Sequence, residues 1–193
     1  MRFVYCACAI SYILDDWSGV NQDQVLAYIR ACHCYDGGIS QEPSQESHGG
    51  STYCAVASLQ LIGQLATGLV DMSRTLQWCL QLQSQGFHGR INKPDDTCYA
   101  FWVGATVKIL GHYDLVNADE QRQFLWATQR HIGGFGKLPG EYPDILHSYM
   151  GLTAFALMDD PNVQALVPEL NLSQSSYKRL QHIIHSQRMT QQQ

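Results

Sequence analysis

Between Gly86 and Trp102 the chain places two basic residues, Arg90 and Lys93, just ahead of the pair Asp96 and Cys98. An aromatic cluster, Tyr99, Phe101 and Trp102, follows at once. Pro94 keeps the residue before it out of helix, so the cations sit on a loop. The apolar run from Tyr99 to Leu110 predicts a buried helix ended by Gly111. Cations placed just before a helix N-terminus suit a phosphate-bearing ligand. Asp96-x-Cys98 offers two ligands to a borderline-soft metal such as zinc.

The elements that must position these residues follow from an internal repeat. Gly38, Gly86 and Gly134 are 48 residues apart. In the same register stand His48, Asp96 and Asp144, then Tyr53, Phe101 and Tyr149, then Leu61, Ile109 and Leu157. Carried backward, the register puts Tyr5, Ala9, Ile13 and Leu14 on one more helix of the same kind. Each unit reads as a mixed-polarity helix, a Gly-containing loop and a helix apolar nearly all round. The mixed helices are expected over 22–34, 73–84 and 118–130, and the apolar ones over 52–62, 99–110 and 146–158. Mixed helices are half exposed and all-apolar ones are buried. The fold class is therefore all-α, helical hairpins with an outer and an inner layer, stacked because no hairpin buries its apolar face alone. The units span about 1–20, 21–68, 69–116 and 117–160. Residues 173–193 read as a polar tail with one short helix over 177–185.

Composition fits a globular domain. Of 193 residues, 15% are charged and 45% apolar, enough for a real core. A net charge of −5 argues against a nucleic-acid surface. No apolar run is long enough to span a bilayer and no basic leader opens the chain. Seven scattered cysteines point to reduced thiols and a cytoplasmic protein, and the short Cys6-x-Cys8 and Cys32-x-Cys34 spacings read as structural.

The register gathers His48, Asp96 and Asp144 at one end of the inner helices, with Arg90 and Lys93 just before that layer and Cys98 and His147 just after; Arg2 falls near it. Asp96, Cys98 and His147 then offer three ligands to a zinc ion and leave a fourth position open. The competing reading makes Asp96 and Asp144 helix N-caps and Cys98 a small buried hydrophobe. Arg90, Lys93 and His48 read either as a diphosphate site or as a solvated loop. Tyr99, Trp102, Phe101, Tyr53 and Tyr149 read either as the lining of an apolar cavity or as core. The other histidines show no partner spacing.

In that order, Glu46 to Thr52, Gly89 to Pro94, Asp96 to Trp102 and Asp144 to Tyr149 resemble the β subunits of protein prenyltransferases, from Met1 to about Leu172. Trp102 to Thr106 and Gly133-Gly134-Phe135 with Lys137 and Pro139 resemble the type I geranylgeranyl-transferring branch. The resemblance implies an α/α toroid, of which this chain would be a partial barrel, the C-terminal half. It implies one zinc held by Asp96, Cys98 and His147. It gives the isoprenoid diphosphate His48, Gly49, Gly50, Arg90, Ile91, Asn92, Lys93 and Tyr99, and the adjoining isoprenoid surface Ala100, Phe101 and Trp102. Lys137 would supply fixed positive charge where farnesyl relatives use a carboxylate and magnesium, so no magnesium requirement is expected. The implied reaction moves a geranylgeranyl group from its diphosphate to the cysteine of proteins ending in Cys-a-a-X, X usually Leu, such as small GTPases. The implied partner is a separate α subunit. Two alternatives stand beside it: a truncated, non-catalytic helical scaffold that binds the α subunit, and a terpene cyclase of similar design. The missing Asp-x-Asp-Asp motif counts against the cyclase.

Overall fold

A computed structural model describes residues 1–191; positions 192 and 193 of the expected tail lie outside the described residues. Helices alternate between two layers. The inner ones are α1 (Arg2–Leu14), α3 (Gly49–Leu61), α6 (Thr97–Ile109) and α8 (Ile145–Leu157). The outer ones are α2 (Gln22–Ala31), α5 (Met72–Gln81) and α7 (Ala118–Thr128). A single turn, α4 (Leu65–Gly68), and a 3-10 turn at Tyr113–Leu115 lie in the connections. The inner helices pack in chain order, α1 on α3, α3 on α6, α6 on α8, and so form an arc.

Side-chain caps set where the helices start. Asn21, Asp71 and Asn117 cap the outer three by accepting the amides of Gln24, Arg74 and Glu120. His48, Asp96 and Asp144 cap the inner three. The inner helices therefore begin one to three residues earlier than apolar periodicity predicts, because the caps lie upstream of the first apolar residue. The outer helices stop at Ala31, Gln81 and Thr128, short of the expected ends. Their last residues turn instead into backbone bridges, His33 to Ile39, Gln83 to Phe87 and Gln129 to Phe135.

The 48-residue register is a register of hydrogen bonds. The amides of His48, Asp96 and Asp144 donate to the carbonyls of Ile39, Phe87 and Phe135. Neighbouring units are stitched by an equivalent pair: the Gly49 amide donates to Gly89 O at 2.8 Å and the Thr97 amide to Lys137 O at 3.1 Å. Loops carrying Arg90 and Lys137 are thus fixed to the first residue of the preceding inner helix.

The core lies along the inner layer, around fully buried Tyr53, Leu59, Phe101 and Val56. Val103 and Val107 pack with Trp78 and Cys79 of α5 and with Leu82 just after it. At ~100° per residue, Cys98, Phe101 and Trp102 lie on the far side of α6 from them, toward the inside of the arc. The two end helices each leave an apolar face exposed: Phe3, Ile10 and Leu14 on α1, and Ile145, Leu146 and Leu152 on α8.

Beyond α8 the chain differs from a polar tail. Strands β1 (Leu166–Val167) and β2 (Leu172–Ser173) pair antiparallel, and α9 (Gln174–Gln191) runs well past the expected short helix. Tyr177, Leu180 and Ile184 form a narrow stripe that packs back on the core, with Ile184 beside Tyr12, Leu61 and Ile62. The Tyr12 and Tyr177 hydroxyls lie 2.8 Å apart, and Arg188 makes a forked pair with Asp15.

Candidate metal and anion site

Asp96, Cys98 and His147 come together at the inner-helix N-termini. Their ligating atoms all lie within 4.8 Å of one another. The residues are 7%, 8% and 9% exposed, so the cluster is nearly closed to solvent. Asp96 is both a cap and a candidate ligand: its Oδ1 accepts the Cys98 amide at 2.9 Å and lies 3.3 Å from His147 Nε2. Capping and metal binding are thus not exclusive here. Asp144 Oδ1 accepts the His147 amide, and its Oδ2 lies 2.6 Å from His147 Nδ1. That contact gives Nδ1 the proton and leaves the Nε2 lone pair pointing at the Asp96 carboxylate. With the ring neutral, two acceptors face each other there, an arrangement that a cation between them relieves, and an outer carboxylate on the far imidazole nitrogen is a recurrent feature of metal-ligating histidines. Burial, and then the charge of Asp96, push the Cys98 thiol well above its ordinary range. A cation would reverse that balance. One carboxylate oxygen, one thiol sulfur and one imidazole nitrogen fit a borderline-soft ion such as zinc.

A pocket of about 200 Å³ adjoins the cluster, lined by Gly89, Arg90, Lys93, Asp96, Tyr99 and Lys137 among others. Asp96 lines this pocket and also belongs to the cluster. Lys137 Nζ lies 3.9 Å from Asp96 Oδ2. Arg90 is ion-paired with Glu46, the Arg90 side chain partly and the Glu46 side chain largely exposed. Such a surface pair contributes about 0–1 kcal/mol, so an incoming diphosphate can take the guanidinium over. Lys93 has no ion pair among the described residues.

His48 is held otherwise than a cationic contact would be. The amides of Gly50 and Ser51 donate to its Nδ1 at 3.0 and 3.3 Å. The neutral ring therefore carries its proton on Nε2, which donates to the Tyr99 hydroxyl oxygen at 3.0 Å. Burial, aided by the charge of Arg90, holds the imidazole below its usual range. Tyr99, pushed up to about 12 mainly by burial, stays protonated. With its oxygen engaged by His48, its O–H is free to donate into the pocket. Gly49 makes room for that ring and for Val103: a Cβ there would meet Tyr99 Cδ1 at 3.2 Å and Val103 Cγ2 at 2.9 Å.

A pH dependence follows. The folded-state pKa of His48 is lowered, so the unfolded chain binds the proton more readily. The stability His48 contributes is full above about pH 6.5 and is lost as pH falls below it. Protonation also destroys the Nδ1 acceptor that caps α3. His48→Asn keeps a capping oxygen and does not titrate. Its thermal midpoint should fall less than the wild type's when pH is lowered from about 7.5 to about 5.5; equal falls in scanning calorimetry would refute this.

Other expected site residues sit differently. Gly49 is buried at the α3 N-terminus with its amide already donating to Gly89 O, and the Gly50 amide is taken by the cap. Ala100 and Phe101 are fully buried in the core, as is Tyr53, while Trp102, Tyr99 and Tyr149 keep accessible surface. Ile91 and Asn92 are exposed on the loop, Asn92 with φ 62°. Sequence reasoning passed over the role of Asp144 toward His147; Asp-x-x-His at a helix start was the available signal. It also passed over Glu46 as the partner of Arg90, and Asp95, which lies 3.2 Å from His88 and latches the loop through the Gly86 amide.

An arc of inner and outer helices with a buried carboxylate–thiol–imidazole cluster beside a cationic pocket has the layering of an α/α toroid, with its site at the inner-helix N-termini. The chain belongs to the prenyltransferase alpha-alpha toroid domain family, whose profile matches residues 1–172. It is 48% identical over 183 residues to the geranylgeranyl transferase type-1 subunit beta of Arabidopsis thaliana, covering 89% of this chain and 49% of that one. It is 43% identical over 174 residues to the protein of the same name from Dictyostelium discoideum, covering 90% and 49%. Among solved structures it resembles the Candida albicans protein geranylgeranyltransferase-I complexed with GGPP. There the TM-score is 0.83 at 28% identity, over 93% of this chain and 55% of that chain. The chain thus spans about half the length of these relatives. Among the described residues no helix is long and apolar enough to cross a membrane.

Proposed function

We propose that this chain carries the metal and diphosphate site of a type I protein geranylgeranyltransferase β subunit, acting in the cytoplasm with a prenyltransferase α subunit. The observation that carries the reading is the shared wall: Asp96 belongs both to the carboxylate–thiol–imidazole cluster and to the pocket of Arg90, Lys93 and Lys137. A nucleophilic sulfur and a phosphate leaving group would meet there. The donor would be geranylgeranyl diphosphate and the acceptor the cysteine of a protein ending in Cys-a-a-X, small GTPases included.

Asp96, Cys98 and His147 would hold zinc, with Asp144 fixing the His147 ring. Zinc bound there would supply Lewis-acid chemistry, under which the acceptor thiol, ordinarily mostly protonated at neutral pH, would give its proton to water and be held as the thiolate. The sulfur forms a bond to the first carbon of the prenyl chain while that carbon's bond to the diphosphate oxygen breaks, and both electrons leave with the diphosphate. Arg90, Lys93 and Lys137 stand where that charge grows, and the Tyr99 O–H donates to it. Lys137 gives fixed charge on the side of the pocket facing Asp96, a place a divalent ion would otherwise serve.

Asp96→Asn separates cap from ligand. Asn caps a helix about as well as Asp, so the thermal midpoint of the metal-free protein should barely move. The neutral amide is a poor ligand, so zinc measured by elemental analysis should fall from near one per chain to a small fraction. Transfer of a geranylgeranyl group to a Cys-a-a-Leu peptide, assayed with the α subunit, should fall with it. The scaffold reading predicts α-subunit binding with neither zinc nor turnover in the wild-type chain, and that result would overturn the proposal.

A further inference from the structure

The loops ahead of α3 and α6 are closed at their stems by one contact with its residue types exchanged. In the first loop Asp36 stands at the outgoing end and Ser47 at the returning end; 48 residues on, Ser84 and Asp95 take those places. The Ser47 hydroxyl donates to Asp36 Oδ1, and the Gly38 amide donates to the same oxygen at 3.1 Å. The Ser84 hydroxyl donates to Asp95 Oδ2, and the Gly86 amide, at the register position of Gly38, donates to that oxygen at 2.8 Å. Carboxylate and hydroxyl have traded ends, yet the bond and the amide it gathers are retained. In the third loop Ile132 and Pro143 occupy the two positions, and neither side chain can make the contact. That stem is closed by the backbone bridge Gly136 to Pro143 instead.

The second latch holds more than the first. Asp95 Oδ1 lies 3.2 Å from His88 Nδ1, and both side chains are mostly buried. A carboxylate only accepts, so the ring donates to it. One carboxylate at the returning end thus gathers Ser84, Gly86 and His88 of the outgoing end. The loop it closes is the one that carries Arg90 and Lys93. Inside the tip the Lys93 amide donates to Arg90 O at 3.2 Å, while Ile91 and Asn92 are exposed. The tip is therefore held mainly from its ends: Gly89 O accepts the Gly49 amide on one side, and Asp95 ties down the other. The next residue, Asp96, already walls the anion pocket. A shift of the stem moves both cations relative to that wall. Cations held in place before an anion arrives spare the cost of ordering them on binding.

We infer that Asp95 is a positioning residue of the anion pocket: its carboxylate locks the loop stem and so fixes Arg90 and Lys93 over the place where a diphosphate would rest. The inference rests on the prenyl-diphosphate reading of the site. It gives Asp95 a task separate from that of its neighbour Asp96, which stands among the candidate metal ligands. It requires only that a carboxylate and a hydroxyl face each other across the stem, whichever end carries which.

The test compares the full chain with three variants. Asp95→Ala removes the latch. Ser84→Ala removes one arm of it at an exposed residue, which does not threaten folding. Ser84→Asp/Asp95→Ser rebuilds the latch in the orientation found at Asp36 and Ser47. Affinity for inorganic diphosphate and zinc per chain are measured for each, and hydrogen exchange is followed over 86–93. Asp95→Ala should bind inorganic diphosphate about tenfold more weakly, the scale of one or two lost hydrogen bonds, with faster exchange in the loop and zinc unchanged. Ser84→Ala should lose about threefold, and the exchanged pair should recover most of the wild-type affinity. A residue that only stabilises the fold would leave the affinity of the folded variants where it was. Faster exchange with unchanged diphosphate affinity would therefore overturn the inference and leave the site reading intact. An exchanged pair that folds but binds no better than Asp95→Ala would do the same, and so would loss of zinc from Asp95→Ala, which would assign the effect to Asp96. Failure of the wild-type chain to bind inorganic diphosphate would overturn the site reading, and the inference with it.

Discussion

Cys98→Ala is expected to leave a folded chain that no longer holds zinc. The thiol is small and nearly buried, and burial keeps it neutral when no cation is near. As a packing element its loss costs about 1 kcal/mol. As a ligand its loss is far larger. Structural zinc sites bind with about 10–16 kcal/mol, and Asp96 and His147 alone would hold only a remnant. Zinc per chain should therefore drop to a small fraction, and prenyl transfer by orders of magnitude. A chelator makes the comparison internal. It should lower the wild-type thermal midpoint toward that of Cys98→Ala, and leave the variant's own midpoint where it was. A variant with full zinc occupancy and normal turnover would end the metal assignment.

Gly89→Ala is expected to produce the second large effect, through shape alone. A Cβ on Gly89 would fall onto the Tyr99 ring and its hydroxyl. The ring has little room to retreat. His48 engages its oxygen, and the Gly49 side of α3 lies against its edge. Either Tyr99 leaves the pocket, or the loop moves and takes Arg90 and the Gly89 carbonyl with it. Overpacking of this kind costs about 1–3 kcal/mol. Diphosphate affinity should fall by about tenfold or more, because both alternatives remove a donor. Tyr99→Ala supplies the check. If the clash is the cause, adding Gly89→Ala to Tyr99→Ala should cost little further stability. Full additivity of the two losses would refute the steric account.

Much of this arrangement was legible in the sequence, because one period governs both helix packing and loop hydrogen bonding. The register placed His48, Asp96 and Asp144 in one layer, and the arc of inner helices follows from their all-round apolar composition. What stayed illegible depends on which atom of a side chain is used. Nothing in the sequence distinguishes a histidine that caps a helix through Nδ1 from one that faces an anion, and His48 does the first while touching Tyr99 with its other nitrogen. Nor does it tell how Asp144 divides its two oxygens between the His147 amide and ring. The C-terminal segment was hidden for another reason. Tyr177, Leu180 and Ile184 are too sparse a stripe to signal burial, and the residues they meet, Tyr12, Leu61 and Ile62, lie more than a hundred positions away. Phe101 shows the limit of reading aromatics as lining: its place in the register is right, but its side chain is core.

The shared register of caps and tyrosines makes these helices intolerant of changes in length in a way they are not intolerant of changes in composition. His48 and Tyr53, or Asp144 and Tyr149, are separated by a fixed stretch of one helix. One residue inserted between them would turn everything downstream by ~100° and shift it by about 1.5 Å. Tyr53 would swing away from the Pro168 carbonyl in the turn between β1 and β2, which its hydroxyl holds, and in α8 an insertion ahead of His147 would displace that ligand as well as Tyr149. Natural variation in this chain should accordingly take the form of substitutions between each cap and its tyrosine, with gains and losses of residues confined to the loops ahead of the outer helices.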